Sequence, residues 1–189
     1  LSKDRRQSLR TVSCLAQRMD LQAHPWRDRR TQRDPTMNDV ELFLAHAIQL
    51  EREAARRYEE LTAAMTTDGN AELKEFFARM AFFSRKHLAE AVARGGFRDL
   101  PDMGPDDYQW PDGTSPETAE WAGVDAQMDG ADALQLALGS ERRGHAYYGA
   151  IAATTQDIEL RGIAAEFAAE EAQHIAELER LIAARSRAA

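Results

Sequence analysis

Glutamate and histidine side chains recur at helical spacing in this chain, within segments that are otherwise apolar. Glu171 and His174 are three residues apart, so a helix would present both on one face. His87 lies in a similar apolar segment, but Ser84 stands three residues before it where the other copy has a glutamate. Carboxylate and imidazole groups together suit iron or manganese, so the spacing indicates a metal site.

The chain also contains an internal repeat that involves tyrosine. Glu51 and Tyr58 are seven residues apart, and so are Glu141 and Tyr148. A histidine follows in each half, His87 at 36 residues after Glu51 and His174 at 33 residues after Glu141. The two halves therefore have the same layout. We interpret both tyrosines as core residues whose hydroxyl groups need a partner.

The helical periodicity places these side chains among apolar ones, and it predicts that they converge. Taken singly, each glutamate is equally compatible with a solvated helix edge. Together they would bring three carboxylates into one apolar interior, where an unpaired charge is costly and a bound cation removes the cost. The candidate metal ligands are Glu51, His87, Glu141, Glu171 and His174.

Four helices must position these ligands. Apolar periodicity predicts helices over residues 38–65, 71–94, 131–153 and 158–184. Asn38 and Glu41 have capping-box spacing, and Asp129 is the predicted cap of the third helix. A long polar connection separates the second helix from the third, and Ser115-Pro116-Glu117 within it is predicted to start a short helix through Trp121. The pattern predicts an all-α four-helix bundle, built from two helical hairpins joined by a long crossover.

Composition excludes several classes of protein. The chain has 189 residues and a net charge of −8, which argues against nucleic acid as its main partner. Its single cysteine, Cys14, excludes an internal disulfide and a Cys-x-x-Cys module such as a rubredoxin domain. No apolar run has the length of a membrane span, so we expect no membrane partner. A reducing cytoplasm is the expected location.

Residues 1–36 differ from the rest of the chain. They contain nine Lys or Arg residues and four Asp residues. The chain starts at Leu1, and Met37 directly precedes the first predicted helix. We expect a poorly ordered leader that is an appended segment or an over-extended reading frame, although a basic arm for an anionic partner is the alternative. The bundle is expected to occupy residues 37–189.

This constellation resembles the ferritin-like family and, within it, rubrerythrin-type di-iron proteins, over about residues 37–184. In that family two helices each supply a Glu and the other two each supply Glu-x-x-His. Glu51 and Glu141 match the single glutamates, and Glu171 with His174 matches a complete Glu-x-x-His. His87 matches the second histidine, while Ser84 replaces the glutamate that bridges the metals in the family.

The resemblance implies an iron-dependent oxidoreductase that acts on peroxide or dioxygen. Its centre would be di-iron or of reduced occupancy, with manganese or zinc as possible alternatives to iron. It also implies a separate electron donor and a homodimer. The alternative is a metal-poor bundle that serves as a dimeric interaction or iron-handling protein. Residues considered as substitutes for the missing carboxylate are His145, which is the preferred one, Glu53, Glu90 and Glu170.

Overall fold

Four long helices make up nearly all of the chain that the structure describes. The computed structural model describes residues 39–118 and 128–188. The end of the predicted short helix, residues 119–121, and the leader of residues 1–36 lie outside these ranges, and residues 116–118 form a turn. The helices are α1 (Val40–Thr67), α2 (Ala71–Gly95), α3 (Gly130–Thr154) and α4 (Ile158–Ala188). A 3₁₀ turn at Pro105–Asp107 lies between α2 and α3, and the described residues include no strand. The predicted all-α four-helix bundle is therefore confirmed.

The helices pair as two hairpins with short connections. α1 packs along α2, and α3 packs along α4. The first turn is tight because Gly69 adopts a φ of +74°, a left-handed conformation that glycine accepts without strain. Asp157 begins α4 by accepting a hydrogen bond from the backbone N–H of Leu160 at 2.9 Å. Within the described ranges, none of the helices combines the length and the hydropathy that a bilayer span requires.

The connection from α2 to α3 crosses the length of the bundle. Near its start, Arg98 forms ion pairs with Glu41 and Glu159, which lie in the first turns of α1 and α4. At its end, Gly130 begins α3 against Leu73, in the first turn of α2. α2 has 25 residues and is therefore about 37 Å long, which is the distance that the crossover must span.

Two apolar clusters fill the interior, and a polar layer separates them. One includes Tyr58, Phe77 and Leu178 and lies towards the α1–α2 turn. The other includes Phe43 and Phe167 and lies towards the opposite end. Five buried polar side chains lie where each helix passes from one cluster to the other: Glu51, Ser84, His87, Glu141 and Glu171. His46 on α1 and Ser140 on α3 are buried as well.

The start of α1 differs from the prediction in one respect. The predicted cap was Asn38, which lies outside the described residues. The helix begins at Val40, and the Asp39 carboxylate accepts a hydrogen bond from the backbone N–H of Leu42 at 3.0 Å. Asp39 therefore satisfies one of the backbone donors that the first helical turn leaves free.

Replacing this cap should weaken the bundle measurably. We expect Asp39→Ala to lower the free energy of unfolding by about 1 kcal/mol, because the Leu42 N–H loses its acceptor. Asp39→Asn keeps a side-chain oxygen at the same position and is the matched control. Urea denaturation followed by circular dichroism measures both variants, and an alanine variant as stable as the asparagine variant would contradict the assignment of this cap.

Candidate metal centre

The repeated Glu-x6-Tyr pattern has a structural explanation in α1 and α3. Glu51 and Tyr58 lie on α1, Glu141 and Tyr148 lie on α3, and all four are buried. The Tyr58 hydroxyl donates to Glu141 Oε1, while the Tyr148 hydroxyl donates to Glu51 Oε1 at 3.4 Å. Each tyrosine thus donates a hydrogen bond to the glutamate of the other half. This exchange requires α1 and α3 to be antiparallel.

Three of the predicted ligands form a compact group. One carboxylate oxygen each from Glu141 and Glu171 and one ring nitrogen of His174 all lie within 4.8 Å of one another. His174 Nδ1 is 3.1 Å from Glu141 Oε2 and 3.8 Å from Glu171 Oε2. Metal–ligand bonds of about 2.0–2.2 Å allow ligand atoms to be separated by nearly this much, so a small adjustment would let them share one ion.

The other two predicted ligands face this group across the polar layer. The rings of His87 and His174 are stacked, with centroids 5.4 Å apart and planes inclined by 17°. His87 Nδ1 is 3.9 Å from Glu51 Oε2, and its Nε2 is 3.8 Å from Glu170 Oε2. This half of the layer contains one histidine and the two carboxylates within 4 Å of it.

The position that lacks a carboxylate is buried and filled by a small side chain. Ser84 donates its hydroxyl to the carbonyl of Met80 at 3.2 Å, so its polar atom is satisfied within α2. Among the proposed substitutes, Glu90 pairs with Lys86 at 3.2 Å, and Glu53 accepts from Ser115. Glu170 comes within 3.8 Å of a predicted ligand, His87.

The preference for His145 as a substitute ligand was wrong. This histidine is exposed on the surface of α3. The inward face of the helix follows Leu138, Glu141, Gly144 and Tyr148. Four residues turn a helix by about 400°, so His145 is displaced about 40° from Glu141, on the side facing away from Gly144. Leu138 is displaced about 60° to the same side and is nevertheless buried, so the helical angle alone does not account for the exposure of His145.

Sequence reasoning missed one buried carboxylate, that of Glu117. This residue lies on the crossover and is only 2% exposed. A turn follows Ser115, in which the backbone N–H of Thr118 donates to the Ser115 carbonyl at 3.0 Å. Ser115-Pro116-Glu117 was noted as a helix start, but helical periodicity could not assign a loop side chain to the interior.

Burial and mutual repulsion shift the pKa values of the carboxyl groups in this layer. Burial, followed by the charge of Glu117, raises the pKa of Glu51 well above its ordinary value. Burial, followed by the charge of Glu141, likewise raises the pKa values of Glu117 and Glu171. Burial alone would also raise the pKa of Glu141, but hydrogen bonds from Glu171, His174 and Tyr58 outweigh it and lower that pKa. Glu141 is therefore the carboxylate that stays ionised, and its neighbours donate to it.

The pKa values of the two histidines are shifted in opposite directions. Burial, together with the nearby His174, lowers the pKa of His87 to about 4, so its ring is neutral at neutral pH. Burial would lower the pKa of His174 too, but its hydrogen bond to Glu141 and the charge of that carboxylate raise it. A neutral imidazole and an ionised carboxylate are the forms in which these groups bind metals. His87 and Glu141 already have these forms, whereas Glu51, Glu171 and His174 hold their protons more strongly and would release them when a metal binds. As carboxylate and imidazole groups, the donors of this layer fit a metal ion.

A row of aromatic side chains connects this layer with the crossover. Tyr148, which donates to Glu51, lies 5.4 Å from Tyr147 between ring centroids. Tyr147 is 5.5 Å from Trp110 of the crossover, and Trp110 is 5.0 Å from His46. The His46 Nε2 atom accepts from the backbone N–H of Gln109 at 3.1 Å. These contacts hold the middle of the crossover against α1 and α3.

Comparison with known proteins identifies one solved relative. No family model matches the chain, and no curated protein matches it. The chain is similar to the crystal structure, at 2.00 Å resolution, of an uncharacterized conserved protein from Magnetospirillum magnetotacticum MS-1. The two are 38% identical, the match covers 76% of this chain and 93% of that chain, and the TM-score is 0.64.

The metal-free protein should become less stable as the pH rises above about 6.5. Glu51, Glu117, Glu171 and His174 all have raised pKa values in the folded state, so the folded chain retains protons that the unfolded chain releases. Each such group lowers the free energy of unfolding by up to about 1.4 kcal/mol per pH unit. The low pKa of His87 has the opposite effect only below about pH 6.5, where the unfolded chain takes up the proton.

Urea denaturation with a chelator present, at several values between pH 6.5 and 8.5, measures this slope. Glu51→Gln removes one of the contributing groups and should make the slope shallower. A free energy of unfolding that rises with pH over this range would contradict the burial of these groups as carboxylic acids.

Proposed function

The chain belongs to the same family as the conserved protein of M. magnetotacticum MS-1, and we propose that it is a rubrerythrin-like, ferritin-type metal-binding protein. The activity that we infer is iron-dependent reduction of peroxide or dioxygen. The observation that carries the proposal is the compact group formed by Glu141, Glu171 and His174. It supports a metal site because its carboxylate and imidazole ligands come together inside an apolar bundle, where they are costly without a cation.

The metal ligands in this proposal are the five predicted side chains. Glu141, Glu171 and His174 would hold one ion, and Glu51 with His87 would hold a second on the opposite side of the layer. Iron would supply a reversible one-electron change between its ferrous and ferric forms, with electrons from a separate donor. Manganese or zinc would be accepted by the same ligands. A homodimer in the cytoplasm remains part of this hypothesis.

Tyr58 and Tyr148 have a positioning role in this proposal. Each hydroxyl donates to one oxygen of a ligand carboxylate, Glu141 or Glu51, so the metal would bind through the other oxygen. In Glu141 that other oxygen accepts from His174, which would have to release its proton. Hydrogen bonds of this kind orient carboxylate ligands and tune the metal that they bind. The two apolar clusters above and below the layer limit the access of water to the same side chains.

A separate observation supports a second candidate function. Glu141 already accepts hydrogen bonds from Tyr58 and His174, and Ser84 adds no carboxylate at the buried position before His87. The bundle can therefore satisfy much of its polar layer without an ion. This favours a metal-poor bundle acting as an interaction or iron-handling protein, and the metal content of the protein distinguishes the two hypotheses.

Loss of the His174 imidazole should weaken metal binding. We expect His174→Ala to reduce the affinity for ferrous iron by at least about 100-fold, because a direct ligand contributes at least as much as the outer contacts that orient ligands. His145→Ala removes an exposed histidine from α3 and is the matched control. Anaerobic titration of the full-length protein, followed by metal analysis, measures both variants.

If the unaltered protein binds neither iron, manganese nor zinc, the metal-binding hypothesis is wrong and the metal-poor alternative stands. If iron binds, oxidation of the ferrous protein by peroxide at a rate far above that of free iron would favour an oxidoreductase over simple iron handling.

Restoring a carboxylate on α2 should strengthen the centre. We expect Ser84→Glu to increase metal affinity or the number of ions per chain, because residue 84 is buried one turn before His87. Ser84→Gln has nearly the same size without the charge and is the control. Equal metal binding by the two variants would show that residue 84 does not face the ion.

A further inference from the structure

Glu117 is a buried carboxylate that the proposed ligand set does not use. It does not belong to a helix of the bundle, because it lies on the crossover after Pro116. Its backbone N–H donates to the Ser115 hydroxyl at 3.4 Å, and that hydroxyl in turn donates to Glu53 on α1. The crossover is thus attached to α1 directly beside the point where Glu117 enters the interior.

The Glu117 side chain is aimed at the polar layer. A methyl group placed on Gly144 would lie 3.5 Å from Glu117 Oε1 and 3.5 Å from the carboxyl carbon of Glu171. Gly144 is one helical turn after Glu141 on the inward face of α3. Because residue 144 has no side chain, the carboxyl groups of Glu117 and Glu171 occupy the space beside it.

No structural partner accounts for the burial of Glu117. Within the described residues, its carboxylate forms no hydrogen bond and no ion pair. The positive charges that act on it are those of Arg143 and Arg57. The guanidinium of Arg143 donates to the Pro116 carbonyl and to Ser140, and Arg57 donates to Glu60. A buried carboxylate that lacks a donor is costly, and a cation in the adjacent layer would offset that cost.

Glu117 lies beside Glu171 in this layer, and the other side of the layer is the one that is short of a carboxylate. Glu51 and His87 are the two predicted ligands on this side. Ser84 stands at the position where α2 would otherwise supply a carboxylate.

We propose that Glu117 supplies this carboxylate from beside Glu171, so that the crossover contributes a ligand to the second metal ion, together with Glu51 and His87. The inference rests on the proposed metal-binding function and adds a ligand from outside the four helices. It has a consequence for the crossover itself, since residues 111–118 would be held in place by the ion. Metal binding and the conformation of this segment would therefore be coupled.

The test compares Glu117→Gln with Asp112→Asn in the full-length protein. Asp112 lies on the same segment and is exposed, so its variant controls for the loss of one negative charge. Titration of each metal-free protein with Co(II), followed by visible absorption and metal analysis, measures the number and affinity of the ions. We expect two ions per chain for the unaltered protein and for Asp112→Asn. For Glu117→Gln we expect the second ion to bind at least about 10-fold more weakly while the first is retained.

Hydrogen exchange gives a second measurement, because a purely structural role of Glu117 would not make amide exchange depend on the metal. Exchange of the amides in residues 111–118 should slow on addition of Co(II) in the unaltered protein and in Asp112→Asn, but not in Glu117→Gln. If Glu117→Gln does not fold, as judged by circular dichroism, Glu117→Asp keeps the charge and shortens the side chain. It should likewise weaken the second ion and leave the first in place.

The outcomes distinguish a failure of the ligand role of Glu117 from a failure of the metal-binding proposal. If the unaltered protein binds no Co(II), both proposals fail. If it binds Co(II), and the Glu117 variant that folds binds it with the same number and affinity, the metal-binding proposal stands and the role of Glu117 is overturned.

Discussion

Carboxyl groups repel each other most strongly where water is scarce, and this bundle places four of them in one layer of its interior. α1, α3 and α4 contribute Glu51, Glu141 and Glu171, and the crossover contributes Glu117. The surroundings respond in two ways that are visible in the structure. Tyrosine hydroxyls and the His174 ring direct donors at the carboxylates, and three of the four carboxyl groups have pKa values that favour the protonated form. Both responses offset a cost that a bundle with apolar residues at these positions would not have, and this makes a bound cation the simplest reason for keeping them.

The helices and the polar layer were largely predictable because both depend on local periodicity. Residues three or four apart share a helix face, so the apolar stripes predicted all four helices to within a few residues at each end. The same rule placed Glu51, His87, Glu141 and Glu171 among buried residues, as the structure has them. The rule did not place every residue correctly. His145 lies about 40° from Glu141 and is exposed, although Leu138, about 60° to the same side, is buried.

Glu117 could not be predicted in this way. A residue in an irregular segment has no periodic neighbours, and its burial depends on the path of the chain in three dimensions. That path is set by contacts between residues distant in sequence, such as Gln109 with His46 and Ser115 with Glu53. The repeated Glu-x6-Tyr pattern was visible in the sequence, but its meaning, that each tyrosine bonds to the glutamate of the other half, required the antiparallel arrangement of α1 and α3.

The exchange of tyrosine partners also bears on how such a bundle can be divided. In a hairpin of α1 and α2 alone, Tyr58 and Glu51 would lack their hydrogen-bond partners. In the hairpin of α3 and α4, Tyr148 and Glu141 would lack theirs. Two identical copies of one such hairpin, related by a twofold axis, would form both bonds reciprocally. A protein of half this length could thus assemble the same core as a pair of chains, and fusing the two copies would then need only a linker long enough to travel from one end of the bundle to the other.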